Sequence, residues 1–103
     1  MSTEDSRFRP NAIGIPWCRE EDYGAFVAIF EDANNLPITW DEFIQRAQAS
    51  EDHYKLQGYI VERVYIDLQT FPDWCRRQGY RIDAQARARF AARIAVARNA
   101  DSD

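Results

Sequence analysis

One ten-residue run, YIVERVYIDL at residues 59–68, constrains the fold more than any other part of the sequence. On one side the apolar Ile60, Val64 and Ile66 alternate with the opposite set of Val61, Arg63, Tyr65 and Asp67. Glu62 interrupts the apolar side, which predicts a strand that is properly buried only from Val64 onward. A strand needs a partner, and the only other extended segment that we find is AIGIPW at residues 12–17. Pro16 has no amide hydrogen, so that segment must be short or lie at a sheet edge. The two segments pair with each other, or the later strand pairs across a dimer, and in either case helices must cover the pair.

Four helices are predicted from capping residues and from apolar side chains at helical spacing. Thr39 begins the second helix in a TWDE capping box, Thr70 caps the third, and Asp83 begins the fourth. Glycine ends the second and third helices, at Gly58 and Gly79. The predicted helices cover residues 19–33, Thr39 to Gly58, Thr70 to Gly79, and residues 84–98.

The predicted fold class is α+β and mostly helical, with four helices in two hairpins and the element order β-α-α-β-α-α. A chain of 103 residues that is 14% aromatic can build one core, which we expect over residues 12–98. Residues 1–11 and 99–103 are polar, and we expect a disordered arm and a flexible tail there. Residues 12–58 and 59–98 repeat the same pattern, either by duplication or because helical hairpins share their start and stop signals.

The charge of the chain argues against non-specific binding to nucleic acid or to an anionic membrane, since the net charge is -4. The two halves differ: residues 1–58 carry 5 basic and 11 acidic side chains, net -6, and residues 59–103 carry 8 and 6, net +2. No apolar run approaches the ~20 residues of a membrane-spanning helix. The opening MSTEDSRFRP lacks the apolar core of a signal peptide, and two cysteines are too few for a disulfide scaffold. We therefore expect a cytoplasmic location.

Few side chains could carry chemistry, and we expect no enzyme, no cofactor and no metal site. His53 is the only histidine, and it follows Glu51 and Asp52 directly, so the three fan apart on a helix. Cys18 precedes the first helix, where amide dipoles are expected to lower a thiol pKa. Glu51 falls within the apolar stripe of its helix, and we favour a position where the stripe reaches solvent over burial beside Arg63 or an arginine of the last helix. The weak reactive candidates are Cys18, Glu51 and His53.

The last helix threads arginines through alanines, and its two sides differ in side-chain size. The larger apolar residues predict a core-facing stripe of Ala86, Phe90, Ile94 and Ala97. The far side is small and uncharged, which favours a second packing face for a homodimer or a partner groove over a neutral surface chosen for helix propensity. The predicted interaction surface consists of Ala88, Ala91, Ala92, Ala95, Arg89 and Arg93. A second candidate surface is the acidic patch of Glu20, Glu21, Asp22, Glu31 and Asp32.

The leading functional prediction is a non-enzymatic protein–protein interaction or adaptor domain, bound to another protein or to itself as a homodimer. The alternative is a DNA-binding transcriptional regulator, because residues 60–98 follow the strand-helix-helix order of ribbon-helix-helix proteins. A reading strand needs basic or amide side chains toward the groove, and the outward side here offers Arg63 but also Asp67. The net negative charge also disfavours nucleic acid. An enzyme or small-ligand binder is the third class, and it would depend on the weak reactive candidates.

Overall fold

The structure is a computed structural model that describes residues 12–100. Over that range the predicted fold class is confirmed: the chain is mostly helical, with a small two-stranded sheet and the order β-α-α-β-α-α. The elements are β1 (Ala12–Trp17), α1 (Tyr23–Ile29), α2 (Trp40–Leu56), β2 (Ile60–Tyr65), α3 (Phe71–Gln78) and α4 (Ala84–Asn99).

The two strands pair with each other in parallel, in a register that runs from Ala12 opposite Ile60 to Trp17 opposite Tyr65. A parallel pair needs a long crossover connection, which α1 and α2 supply between the strands. Both strands are edges of the sheet, so the missing amide hydrogen of Pro16 is tolerated, as its position predicts. The strand pair is thus complete within one chain.

The sheet lies between α2 and α4. Successive side chains of a strand point to opposite faces, so neighbouring residues of β2 contact different helices. Glu62 accepts a hydrogen bond from Arg98 of α4 at 3.4 Å, and the residue paired with it in the register is Gly14. The next residue of β2, Arg63, donates instead to Glu51 of α2. Helix α4 therefore covers one face of the sheet, and α2 covers the other.

The backbone of α4 packs directly on β1 at Gly14. A Cβ added to Gly14 would collide with the carbonyl group of Ala91, so only glycine allows this approach. Ala91 and Ala95 are 0% exposed as a result, and Phe90 and Ile94 are only partly buried. The predicted core-facing stripe of the last helix is therefore only partly right. Ala86 is buried and Phe90 packs against the core, but Ala97 is exposed, and Ala91 and Ala95 from the predicted far side are the residues that touch the sheet.

An aromatic cluster joins the short helices to the long ones beyond the sheet. Phe26 and Phe71 are fully buried, and Phe30 lies between them, with ring centroids 4.8 Å and 5.7 Å away. Phe71 in turn meets Phe90 of α4 edge-on at 5.4 Å. These contacts anchor α1 and α3 to the fourth helix.

Two of the predicted helix caps are confirmed. The Thr39 hydroxyl accepts from the Glu42 amide at 3.2 Å, and Asp83 accepts from the Ala86 amide at 3.0 Å. The carboxylate of Glu42 does not close the capping box, since it pairs with Arg46 one turn further on. Half of the predicted capping box is therefore present.

The predicted cap at Thr70 is wrong. One oxygen of Asp67 accepts from the amides of Gln69 and Thr70, and the Thr70 side chain makes no cap bond. The Asp67 carboxylate lies three residues before Thr70, just after the strand, and accepts from these amides in place of the Thr70 hydroxyl. Gly79 does end α3 as predicted, in the left-handed conformation at φ 77°.

The outer boundaries differ from those predicted. Residues 19–33 form a 3₁₀ turn at Glu20–Asp22 followed by α1, which stops at Ile29 because Phe30 is extended. Helix α4 continues to Asn99, so residue 99 belongs to the helix and not to the expected tail. The expected arm at 1–11 and the rest of the tail lie outside the described residues.

Candidate interaction surface

The surface predicted on the last helix is only partly available. Ala91 and Ala95 face β1 and cannot contact a partner. Ala88, Arg89, Ala92 and Arg93 are exposed, as predicted for an interaction surface. The prediction grouped Ala91 and Ala95 with Ala88 and Ala92 because the close approach of α4 to the sheet does not follow from the periodicity of the helix.

The exposed side of α4 carries an uncharged row of Ala88, Ala92 and Val96, spaced four residues apart. Val96 is 55% exposed, which makes it one of the few large apolar side chains that remain in water in the described part of the chain. Arg89 and Arg93 each follow an alanine of this row by one residue. We refer to these five residues as the α4 outer face.

The two arginines of the α4 outer face have no carboxylate partner within residues 12–100. Arg89 lies over the ring of Tyr80, with its guanidinium carbon 4.8 Å from the centroid. The side chain of Arg93 makes no ion pair, hydrogen bond or ring contact with any other described residue. Two positive charges therefore border an apolar row without being neutralised by this part of the chain.

Arg87 has the opposite environment and a structural role. It is 8% exposed and donates two hydrogen bonds to Asp32, at 2.9 and 3.1 Å. Its guanidinium also lies 4.4 Å from the centre of the Phe30 ring. The sequence does not predict this pair, because the two residues are 55 positions apart in the chain.

Glu51 is buried, so the favoured prediction that it reaches solvent is wrong. It is 6% exposed and accepts from Arg63 at 2.8 and 2.9 Å, which is the partner considered in the alternative. These hydrogen bonds hold the pKa of Glu51 below its usual range, although burial opposes them, and Lys55 at 4.0 Å adds to the effect. The carboxylate is therefore ionised at neutral pH and is not poised as a general acid.

Cys18 is also buried, and its pKa moves in the direction opposite to that expected. Burial, together with the nearby carboxylates of Asp22 and Glu21, raises the pKa of the thiol to about 12. The sulfur atom donates to the carbonyl oxygen of Arg19 at 3.3 Å. The thiol is protonated at neutral pH and so lacks the thiolate that a nucleophile requires.

The weak reactive candidates do not converge. The Trp40 indole donates to the Cys18 carbonyl oxygen at 2.8 Å, which places Cys18 at the beginning of α2. Glu51 and the exposed His53 are 11 and 13 residues further along that helix, or roughly 16 and 20 Å at 1.5 Å per residue. Among residues 12–100 no three His, Cys, Asp or Glu side chains are grouped so that they could hold a metal ion.

A second uncovered surface lies on α1 and was not predicted. A groove of about 470 Å³ there is lined by Gly24, Val27, Leu36 and Ile38, among others. Ile38 is 92% exposed. We call these four residues the α1 groove. The sequence feature that could have indicated this groove is Ile38, an apolar residue between Pro37 and the helix cap at Thr39.

The acidic patch predicted near this groove is smaller than expected. Glu20 and Glu21 are exposed, but the charge of Asp32 is neutralised by its ion pair with Arg87. Glu31 accepts from the amide of Ile82 at 3.2 Å. The free acidic charge of the patch is therefore concentrated just before α1.

The strand considered for DNA reading has little to offer a base edge. Arg63 is its only basic side chain. Its guanidinium is hydrogen-bonded to Glu51 and lies 4.2 Å from the centre of the Trp17 ring.

None of the helices in residues 12–100 has the length and apolar character to cross a membrane. Comparison of the chain with protein-family models, with curated protein sequences and with solved structures gave no match.

Proposed function

We propose that this protein is a non-enzymatic interaction domain that binds a protein partner through the α4 outer face. The observation that carries the proposal is the exposure of Val96 at the end of an uncharged row. Alanine on a surface helix is explained by its high helix propensity. Valine is not, because its branched side chain loses freedom in a helix, so burial against a partner is the better reason for it.

The two arginines beside this row support the same proposal. Arginine is enriched in protein interfaces, where its long stem packs and its guanidinium binds carboxylates. Arg89 and Arg93 have no such carboxylate in residues 12–100, so a partner can supply one. The two buried free thiols, Cys18 and Cys75, support a reducing, cytoplasmic location as part of the proposal.

The test is affinity capture of the tagged protein from its native lysate, with nuclease present, using wild type, Ala92→Glu and Ala49→Glu. Ala49 is an exposed alanine within α2 and serves as the matched control. We expect a stoichiometric protein partner that Ala92→Glu loses and Ala49→Glu retains, because a glutamate in the middle of the row would be desolvated at the contact and would compete with the partner for Arg89. Retention by all three proteins would refute the assigned surface.

The same experiment without nuclease tests the DNA-binding alternative. Nucleic acid that is retained at low salt and released steeply as salt rises would replace the proposed function, since phosphate binding depends strongly on counterion release. Retention that does not change with salt or nuclease supports a protein partner.

A further inference from the structure

We propose that the partner of the α4 outer face is the α1 groove of a second copy of this chain, so that copies associate head to tail. The inference rests on the proposed function and names its partner. It is drawn from two uncovered surfaces of the same molecule that match in apolar character, in charge and in spacing.

The α1 groove is apolar and open. Ile38 occupies the position before the Thr39 cap, where an apolar residue ordinarily packs on the first turn of the helix, at Phe43 in this chain. It is instead 92% exposed. The outward residues of α1 are Gly24, Ala25 and Ala28, which are uncharged and small enough for another helix to approach closely. An apolar side chain such as Val96 can enter beside Ile38 and remove both from water.

The charges that border the two surfaces are opposite in sign and unpaired. Glu20 and Glu21 are exposed at the amino-terminal end of α1, and neither makes an ion pair with another described residue. Arg89 and Arg93 on the α4 outer face have no carboxylate in the same part of the chain. Each surface therefore offers the other its missing counter-charge.

The spacing of these groups agrees along the two helices. Arg89 lies seven residues before Val96, or ~10 Å along α4. Glu20 lies seven residues before Val27 of the groove, or roughly 10–12 Å through the 3₁₀ turn and α1. With α4 of one copy parallel to α1 of the next, Val96 enters the groove and Arg89 lies opposite the acidic pair.

A symmetric contact between two α4 outer faces is disfavoured. Helix α4 contains four arginines and no acidic residue, so two copies would bring like charges together. The proposed contact joins two different surfaces and is therefore heterologous, which leaves one free surface of each kind at the ends of every assembly. Association then continues beyond the dimer as concentration rises.

The test is sedimentation velocity of the whole chain over a wide concentration range at low salt, with two charge-reversal variants. One variant carries Arg89→Glu and Arg93→Glu, and the other carries Glu20→Arg and Glu21→Arg. We expect wild type to gain mass with concentration, and each variant alone to associate at least about tenfold more weakly. An equimolar mixture of the two variants should associate again, because each then offers the other a complementary surface.

Arg77→Glu is the control, since Arg77 is exposed and belongs to neither surface. It should associate as wild type does, and circular dichroism should show that all variants are folded. A monomeric wild type throughout, or a mixture no heavier than its components, overturns the proposal. If wild type is monomeric while Ala92→Glu still loses a captured protein, only the self-partner is wrong and the proposed function stands. If capture also survives Ala92→Glu, both are wrong.

Discussion

Replacing Gly14 with alanine adds one methyl group where the structure has no room for it. The new Cβ would approach the carbonyl oxygen of Ala91 well below the 3.0 Å that such atoms keep, and would stand 3.1 Å from the amide nitrogen of Ala92. Both atoms belong to the backbone, so no side chain can rotate away, and β1 and α4 must separate. Overpacking of this kind costs about 1–3 kcal/mol, and more where the neighbours cannot shift.

The matched control is Gly24→Ala, because a Cβ added at Gly24 meets nothing within 4 Å. That site is helical, where alanine is preferred to glycine by about 0.5–1 kcal/mol. The same chemical change is therefore expected to lower the free energy of unfolding at one site and to raise it at the other.

Urea denaturation followed by circular dichroism measures both changes, provided that the slope with urea is the same for all three proteins. For Gly14→Ala a loss of 2 kcal/mol corresponds to a fall in Tm of roughly 8–16 °C for a domain of this size. An alanine variant at Gly14 that is as stable as wild type would show that α4 does not rest on β1 at this residue. The assigned burial of Ala91 and Ala95 would then also be wrong.

Two further predictions concern the ion pairs. Glu51→Gln should lower the free energy of unfolding by about 1–2 kcal/mol at pH 7, low in the range for charged hydrogen bonds because Arg63 is 44% exposed. The pKa of Glu51 is lower in the folded state, so its contribution to stability is full above the unfolded pKa of about 4.3 and is lost as pH falls through the folded pKa. The free energies of unfolding of wild type and variant should therefore converge in acid. A constant difference between them from pH 7 to pH 2 would contradict this assignment. Asp32→Asn should cost about 3 kcal/mol, because it leaves the guanidinium of Arg87 buried without a counter-charge, while Glu42→Gln in an exposed pair should cost less than about 0.5 kcal/mol. Equal losses for the last two variants in thermal or urea unfolding would argue that Arg87 is solvated.

The sequence was sufficient to predict the elements, their order and two of the caps, because these depend on residues within a few positions of one another. The orientation of the last helix was not predictable from its own periodicity. Ranking by size selects Phe90 and Ile94 for the core, but the sheet selects Ala91 and Ala95, since only small residues allow the backbones to meet. The clue lay in Gly14, as a glycine inside a strand often marks a close approach of another backbone.

The candidate site was predictable to a similar depth. Exposure of Ala92 and Arg93 follows from helical spacing, and Glu51 was recognised as a misfit in an apolar stripe. The contact between distant segments decides which arginine pairs with Glu51. The same kind of contact pairs Arg87 with Asp32. The exposure of Ile38 does not follow from the sequence, because an apolar residue beside a cap ordinarily packs on its own helix.

The packing of β1 against residues near the far end of the described chain has a consequence for biosynthesis. Synthesis proceeds from the amino terminus, so β1 is made before any of the elements that cover it, and Ala91 and Ala95 emerge last among them. Until α4 has emerged, the α4 side of both strands is exposed to water and to other unfinished chains. Contacts between residues so distant in sequence also slow folding. The interval before α4 leaves the ribosome is therefore when this protein is most exposed to aggregation and most in need of a chaperone.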